Sequence, residues 1–188
     1  MTALADIRAG VLAFVNATPG VGVTHGYQRY AHKVSDFKSL YAQGEKVLGF
    51  FITRTGWSCE EHDSATNRIV NRWTIRGFMA LEDEAESEVL FDQALEAMRQ
   101  QFNTDETLGG VVDTTIVDGR AGLQLESQEP VMFAGILCHQ ARLTLSTVHF
   151  EDVGATDAID DFLQGGVAYD LAQPDGVNEA EDLIEPEQ

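Results

Sequence analysis

Residues 46–81 read KVLGFFITRTGWSCEEHDSATNRIVNRWTIRGFMAL, and this stretch decides the fold. Two runs rich in β-branched and aromatic residues flank a polar connection at Cys59 to Asn67, which is the pattern of a long antiparallel hairpin. Successive strand residues point to opposite faces of a sheet, so the second run sorts into two rows. One row is apolar except for Asn71 and contains Ile69, Trp73, Ile75, Met79 and Leu81. The other row carries Arg68, Arg72, Thr74 and Arg76. We therefore expect one face to join a core and the other to present arginines.

Helices are predicted before and after this hairpin. Residues 3–17 carry apolar side chains at helical spacing, namely Leu4, Ile7, Val11, Phe14 and Val15. A second stripe follows the hairpin and consists of Phe91, Leu95, Met98 and Phe102. The predicted order is α-β-(short α)-β-β-α-β-β-β, which indicates the α+β class. We expect a mainly antiparallel sheet with a long hairpin, flanked by an N-terminal helix and one central helix.

Further strands are predicted after the central helix. Val111 to Val117 reads as a weak strand, and Met132 to Phe150 as the longest β segment of the chain. In the latter, the side chains expected to point inward are Leu137, Ala141, Leu143 and Leu145. After Leu145 the apolar residues move to the other row of the strand alternation, at Val148 and Phe150. This change predicts a bulge or a strand that leaves the domain body.

The charge of −19 is distributed unevenly. Residues 151–188 hold 12 acidic residues and no Lys or Arg, whereas residues 1–150 hold 19 acidic against 12 basic residues. The sequence therefore predicts a domain over 1–150 and an acidic C-terminal extension over 151–188 that is extended or partly disordered. Within that extension Ile159, Phe162 and Leu163 predict one short amphipathic helix.

The same charge excludes some partners. An acidic surface argues against groove-binding of nucleic acid, whose phosphates need Lys and Arg, and against docking on anionic membranes. No apolar run approaches the roughly 18–20 residues of a membrane span. We therefore expect neither specific DNA binding nor a membrane partner.

Motifs for catalysis are lacking: the sequence has no GxSxG elbow and no P-loop lysine motif. The residues with metal-ligand character are Cys59, His62, Cys138 and His139. Cys138 and His139 are neighbours on a strand and point to opposite faces, and paired CxxC spacing is missing. We expect no catalytic residue, no cofactor and no metal, and hence no enzyme. The alternative from a different class is a small metal-binding enzyme that uses Cys59 and His62.

The arginines Arg54, Arg68, Arg72 and Arg76 form the most informative polar set. In one interpretation they lie on the solvent-exposed face of a half-exposed sheet and pair with acidic side chains of the same chain. In the other, a row of guanidinium groups on a rigid strand contacts an acidic neighbouring copy or partner. We name these four residues as the candidate subunit or partner interface.

Seven stretches carry a resemblance to a known family. They are PGVGVTHGYQRYA (19–31), SDFKSLYAQG (35–44), VLGFFITRTG (47–56), NRIVNRWTIRGFMALED (67–83), SEVLFDQALEAMRQQF (87–102), DETLGG (105–110) and MFAGILCHQARLTLSTV (132–148). In this order and spacing the chain resembles the tail terminator proteins of long-tailed bacteriophages, also called tail completion or tail-to-head joining proteins. The resemblance covers about residues 3–150, and the acidic extension lies outside it.

The resemblance implies a structural virion protein that assembles into a homo-oligomeric ring, usually a hexamer. Such a ring caps the tail tube, terminates its polymerisation and docks to the connector or neck protein of the head. In contractile tails it also meets the last layer of the sheath, and DNA passes through its lumen without specific binding. The implied location is the tail-neck junction of the virion, after assembly in the cytoplasm of the bacterial host.

Two further alternatives remain open from the sequence. One is another neck component, such as a head-completion or stopper protein. The other is an acidic binding module whose C-terminal extension captures a basic partner.

Overall fold

The long hairpin is present in a computed structural model of the chain, which describes residues 4–29, 34–43, 46–62, 66–133, 135–152, 165–169 and 180–184. In chain order its elements are α1 (Leu4–Ala17), β1 (Val23–His25), α2 (Val34–Tyr41), β2 (Ala42–Gln43), β3 (Lys46–His62), β4 (Thr66–Ala80), a 3-10 turn (Asp83–Ala85), α3 (Ser87–Phe102), β5 (Gln124–Phe133), β6 (Ile136–Asp152), β7 (Gly165–Tyr169) and β8 (Ala180–Ile184). The predicted α+β class, with a mostly antiparallel sheet, an N-terminal helix and a central helix, is confirmed.

The main sheet has the strand order β1-β3-β4-β6-β5, and β2 pairs with the start of β3. All neighbours are antiparallel except β1, which runs parallel to β3 and pairs Val23 with Gly49. The β4–β6 register is unbroken from Thr66 opposite Asp152 to Ala80 opposite Cys138. The β3–β4 register shifts twice, once between Arg54 and Gly56 and once between Cys59 and Glu61.

One face of the sheet packs against α1 and α3. The buried residues of this core include Ile7, Val11, Val15, Phe50, Ile52, Trp73, Ile75, Phe91, Leu95, Met98, Phe102, Leu143 and Leu145. Trp73 is fully buried, its indole N–H donates to Thr147 Oγ1 at 2.9 Å, and the Arg8 guanidinium lies 5.3 Å from its ring centroid. The predicted inward row of β4 is therefore confirmed from Ile69 to Met79, and Asn71 belongs to it as a buried amide bonded to His149.

The opposite face, which we call the outer face, is apolar at one end, contrary to the expectation of a purely arginine-bearing surface. Tyr41, Val47, Phe51, Phe78 and Cys138 form a second buried cluster there. The glycine at position 49 makes this possible, because a Cβ atom there would lie 2.7 Å from the Tyr41 ring. The arginines therefore occupy the part of the outer face beyond this cluster.

Three predictions about the strands are wrong. The polar connection at Cys59 to Asn67 is mostly strand, because polar side chains do not end a strand whose backbone groups are paired across a ribbon. Val111 to Val117 is irregular and forms isolated bridges from Thr114 to Val148 and from Val117 to Arg120. Leu137, predicted to point inward, is 44% exposed near the start of β6.

The change of apolar phase in β6 has a different cause from the predicted bulge. The Asp113 N–H donates to the Val148 carbonyl at 2.9 Å, and the Val148 N–H donates to the Thr114 carbonyl at 2.8 Å. Segment 113–114 thus pairs with β6 beyond the end of β5, and Val148 is 1% exposed beside it. The β4–β6 register continues through this point without a shift, so the burial of the side chains changes and the register does not.

The chain divides into two compact units, Met1–Val153 and Gly154–Gln188. In the second unit β7 and β8 form an antiparallel pair in which Gly165 lies opposite Ile184 and Tyr169 opposite Ala180. The helix predicted around Ile159, Phe162 and Leu163 lies outside the described residues. No helix among the described residues has the length and apolar character needed to cross a membrane.

Candidate functional site

Three of the four predicted interface arginines lie in one row on the outer face. Arg68, Arg72 and Arg76 follow one another at four-residue spacing on β4, so their side chains leave the sheet on the same side. Arg68 forms an ion pair with Glu60 of β3. An Arg72 guanidinium N–H donates to Ser58 Oγ at 3.4 Å, and Arg76 is partly buried.

The fourth predicted residue, Arg54, lies outside this row. It is opposite Trp73 in the β3–β4 register, directly beside the first register shift, and Trp73 belongs to the helix-covered face. Its Nε is buried without a hydrogen-bond partner. The position of a bulge cannot be read from side-chain alternation, and for this reason the sequence grouped Arg54 with the others.

Sequence analysis did not include Arg142 in the set. Arg142 lies directly opposite Arg76 in the β4–β6 register, and its Nε is 2.9 Å from the Glu126 carboxylate. Like charges directly opposite each other on a sheet are unfavourable, and among the described residues Glu126 compensates only Arg142 of the Arg76–Arg142 pair. We call Arg68, Arg72, Arg76 and Arg142 the arginine strip. Among the described residues, no carboxylate lies within 4.0 Å of the charged nitrogens of Arg72 or Arg76.

The solvent side of α3 has the opposite charge. Glu88, Asp92 and Glu96 are all exposed at four-residue spacing on this helix. Hydrogen bonds from Arg99 and then from Gln100 lower the pKa of Glu96 to about 2, so this carboxylate stays ionised at neutral pH. We call these three residues the acidic ridge. Since α3 covers the inner face of the sheet, the acidic ridge and the arginine strip lie on opposite layers of the domain.

A groove runs beside the acidic ridge, between α3 and β5. It has a volume of about 400 Å³, and its lining includes Leu95, Leu123 and Leu143 together with Asp92 and Glu96. The groove thus combines an apolar lining with charged groups of both signs, since Arg99 lines it as well.

Within the described part of the chain, both sides of the sheet end in strands that lack a further partner along some of their length. β5 is the last strand on one side, and Leu125 and Met132 on it are 54% and 63% exposed. On the other side β1 and β2 pair with β3 over Lys46–Phe51, and in the described residues no strand continues this pairing along 52–62. Trp57, in that uncovered length, is 60% exposed.

No protein-family model and no curated protein matches this chain. The assignment of a function therefore rests on the geometry of the domain and on the resemblance of its segments. The geometry offers two oppositely charged surfaces and two unpaired sheet edges. It also contains two arrangements that suggest chemistry, and both have a structural explanation.

The first arrangement is a hydrogen bond between a serine and a histidine. Ser87 Oγ lies 3.0 Å from His139 Nε2, and it also accepts the Glu82 N–H at 2.9 Å. Ser87 is 3% exposed and begins α3, while the His139 ring stacks on Phe91. Within the described residues His139 has no carboxylate partner that would orient it as a catalytic base. The pair holds the chain where it enters α3.

The second arrangement is the set of candidate metal ligands. Cys59 is exposed and lies opposite Ile69, whereas Cys138 is buried and lies opposite Ala80. These positions are 11 residues apart along β4, which corresponds to about 36 Å of strand. The two thiols therefore cannot share a metal or a disulfide.

The environment of Cys138 differs from that of Cys59. Burial raises the pKa of the Cys138 thiol to about 11. The described residues contain no group of three or more His, Cys, Asp or Glu side chains arranged to hold a metal. The side chain of His62 lies outside the described part of the chain.

Proposed function

We propose that this chain is a ring-forming tail terminator of a long-tailed bacteriophage. In this role the ring caps the tail tube, stops its polymerisation and joins the tail to the connector of the head. The protein then acts by shape and by adhesion between copies, and not by transforming a molecule. Its place is the tail-neck junction of the virion, and assembly takes place in the host cytoplasm.

The observation that carries this proposal is the separation of charge between the two layers of the domain. A ring needs a head-to-tail contact, in which one patch of each copy meets a different patch of the next. The arginine strip and the acidic ridge are two such patches, and they are complementary in sign. Charge complementarity across an interface sets partner choice and register more than it sets raw affinity.

The arginine strip is also better suited to an interface than to a solvated surface. The Arg76–Arg142 pair is repulsive within one copy, and Glu126 compensates Arg142 alone. A carboxylate from a neighbouring copy placed beside Arg76 removes that repulsion. Guanidinium groups form two parallel hydrogen bonds with a carboxylate, which adds directional specificity to the contact.

The sheet edges support the same proposal through the backbone. Edge strands can pair with a strand of another chain, and soluble monomers usually protect them by bulges, charge or cover. Here β5 and residues 52–62 of β3 lie at opposite edges of one sheet, and both contain register shifts, between Leu125 and Ser127 and between Arg54 and Gly56. The large apolar side chains that stay exposed on them are Leu125 and Met132 on β5 and Trp57 on β3. This arrangement again fits a contact between unlike surfaces of successive copies.

The test measures assembly and partner binding together. Light scattering coupled to size exclusion, at high protein concentration and low salt, is expected to give a single closed oligomer, and electron-microscopy class averages are expected to show a ring. Raised salt is expected to weaken it, because exposed ion pairs are screened. Pull-down with purified tail tubes is expected to retain the oligomer. A monomer at all concentrations that also fails to bind tail tubes would contradict the proposal.

Arg72→Ala combined with Arg76→Ala is expected to abolish the oligomer while leaving the unfolding transition unchanged. Lys38→Ala is the matched control, because Lys38 is an exposed cation on α2 outside the arginine strip. An oligomer that binds the head connector but not the tail tube would assign the chain to another neck component.

A further inference from the structure

A polar cleft lies on the outer face where the loop after α3 meets the sheet. It has a volume of about 370 Å³, and its polar lining residues include Arg72, Thr115, Asp118, Arg120, Thr144 and Ser146. Arg72 projects from the central strand β4, and Thr144 and Ser146 project from β6 on the same face. Thr115, Asp118 and Arg120 come from the loop. The cleft is therefore walled by two separate parts of the chain.

One lining residue has an unused hydrogen-bonding group. Thr115 is 2% exposed, and its Oγ1 makes no hydrogen bond in the described structure. A buried hydroxyl without a partner costs free energy, and nearly all such groups in folded proteins are paired. Since a hydroxyl hydrogen rotates freely about the C–O bond, this group can donate to an acceptor that enters the cleft.

The residue that carries the second guanidinium, Arg120, ends a tight turn. The N–H groups of Val117 and Arg120 each donate to the carbonyl of the other at 3.0 Å, and Asp118 and Gly119 between them have φ angles of 53° and 71°. Positive φ at both central residues is the geometry of a type I′ hairpin turn. Arg120 is thus presented from a defined backbone, as Arg72 is from the opposite wall.

The charges of the cleft indicate what it can hold. Two guanidinium groups and several hydroxyls form a donor-rich lining, which is suited to an oxyanion. Asp118 at the same cleft opposes a second negative charge on the ligand. The chain as a whole, at −19, repels polyanions such as nucleic acid. A carboxylate accepts hydrogen bonds from this lining and carries a single negative charge. A phosphate dianion also accepts hydrogen bonds, but its second charge is disfavoured by Asp118.

We propose that this cleft is a binding site for a carboxylate side chain of an acidic partner peptide. Arg72 and Arg120 form ion pairs with the carboxylate from the two walls, and Thr115 donates its free hydroxyl to it. The cleft belongs to a single copy, but it shares Arg72 with the arginine strip, so a neighbouring copy in the ring competes with the peptide for this guanidinium. The site is therefore tested on the dissociated monomer.

Fluorescence anisotropy of a labelled, C-terminally amidated Gly-Ser peptide with one central glutamate tests the site on the full-length protein, at concentrations where it is monomeric. Binding is expected to weaken roughly tenfold or more in Arg120→Gln, because a charge-assisted hydrogen bond is lost. The same peptide with glutamine in place of glutamate is expected not to bind. Inorganic phosphate is expected to compete poorly. Absence of glutamate-peptide binding, or equal binding of the glutamine peptide, would overturn the proposal.

Thr115→Val separates a binding role from a structural one. The substitution keeps the shape and removes a hydroxyl that has no partner, so the free energy of unfolding is expected to stay equal or to rise. Peptide affinity is expected to fall severalfold. A loss of stability with unchanged affinity would assign Thr115 to the fold and remove it from the site.

Asp118→Asn tests the assigned charge of the ligand. Asparagine tolerates the positive φ at this position, so the turn is expected to persist. Removal of the carboxylate is expected to tighten peptide binding and to let phosphate compete. Phosphate that already competes as well as the peptide in the unsubstituted protein would overturn the carboxylate assignment.

The oligomeric state of every variant is measured in parallel by light scattering. Arg120 and Thr115 lie outside the arginine strip, so their variants are expected to assemble normally. Failure of ring formation with intact peptide binding would remove the tail-terminator proposal alone. Failure of the dissociated monomer to bind the peptide, in a protein that forms the ring at high concentration, would remove the carboxylate site alone.

Discussion

At the level of single residues, the centre of the core depends on a missing side chain. Phe50, Gly77 and Ala141 lie in one row across β3, β4 and β6, and Phe50 stacks on Phe91 of α3 with ring centroids 6.2 Å apart. A Cβ atom at Gly77 would lie 2.1 Å from Cε1 of Phe50. The glycine therefore makes room for the aromatic ring that joins the sheet to the helix.

Gly77→Ala is expected to lower the free energy of unfolding by about 1–3 kcal/mol, which is the usual cost of overpacking a core. Gly56→Ala is the matched control, because a Cβ atom there has no neighbour within 4 Å and the backbone is not left-handed. Urea unfolding followed by tryptophan fluorescence measures both. Equal stability of the two variants would show that Phe50 can move aside at little cost.

The burial of Trp73 follows from the alternation of apolar residues in its strand, but its hydrogen bond does not. Its partner Thr147 is 74 residues further along the chain. The same holds for Asn71, whose side-chain amide bonds to His149 at 3.1 Å. An asparagine in an apolar row looks like an exception in the sequence, and only the register of β6 supplies the group that makes its burial tolerable.

At the level of elements, the exit of α3 is stabilised by one carboxylate. Asp105 accepts hydrogen bonds from the Thr107 hydroxyl at 2.6 Å, the Thr107 N–H at 2.8 Å and the Gly109 N–H at 2.8 Å. These hydrogen bonds lower the pKa of Asp105, and the bond from the Thr107 hydroxyl has the largest effect. The turn DETLGG is therefore built around an ionised side chain.

This geometry gives an expected pH dependence. Because the folded-state pKa lies below the value in the unfolded chain, the contribution of Asp105 is full above about pH 4 and is lost as the pH falls through the folded pKa. Asp105→Asn is expected to be less stable at pH 7 and to lose less stability on acidification. Urea midpoints between pH 2 and 7 measure this, with Glu106→Gln as control. Parallel curves for all three proteins would contradict it.

The elements with strong periodicity could be predicted from sequence, and those without it could not. The stripe from Phe91 to Phe102 correctly predicted α3, because a helix buries every third or fourth residue. Val111 to Val117 has the composition of a strand but is irregular, since β5 already occupies the edge of the sheet along much of β6. This segment pairs with β6 through the isolated bridge from Thr114 to Val148, and the Asp113 carboxylate accepts the Phe150 N–H. Amino-acid composition indicates how readily a segment forms a strand, but a segment joins a sheet only where a strand has backbone groups left to pair.

At the level of the whole molecule, charge is sorted by layer as well as along the chain. The net charge suggests a uniformly acidic particle, yet four arginines gather on the outer face and three carboxylates on α3. Strand alternation predicted the shared face of Arg68, Arg72 and Arg76, but the rest of this sorting could not be predicted from the sequence. It depends on the register that places Arg142 beside Arg76 and on the bulge that sets Arg54 apart.

Exchanging charges between the arginine strip and the acidic ridge tests whether these two surfaces contact each other in neighbouring copies. Arg72→Glu with Arg76→Glu is expected to abolish the oligomer, and Glu88→Lys with Asp92→Lys is expected to do the same. All four substitutions in one chain are expected to restore it, because the contact then has the reversed polarity. Light scattering at low salt measures the three variants. Two assembling double variants, or a quadruple variant that stays monomeric, would contradict the proposed contact.

The separation of the two cysteines has a practical consequence for counting subunits. With a pKa of about 11, the Cys138 thiol stays protonated and buried at pH 7, so a maleimide dye attaches at the exposed Cys59. The natural chain therefore accepts a single fluorophore per copy near the tip of its longest hairpin. Stepwise photobleaching of individual labelled particles would then report how many chains each one contains.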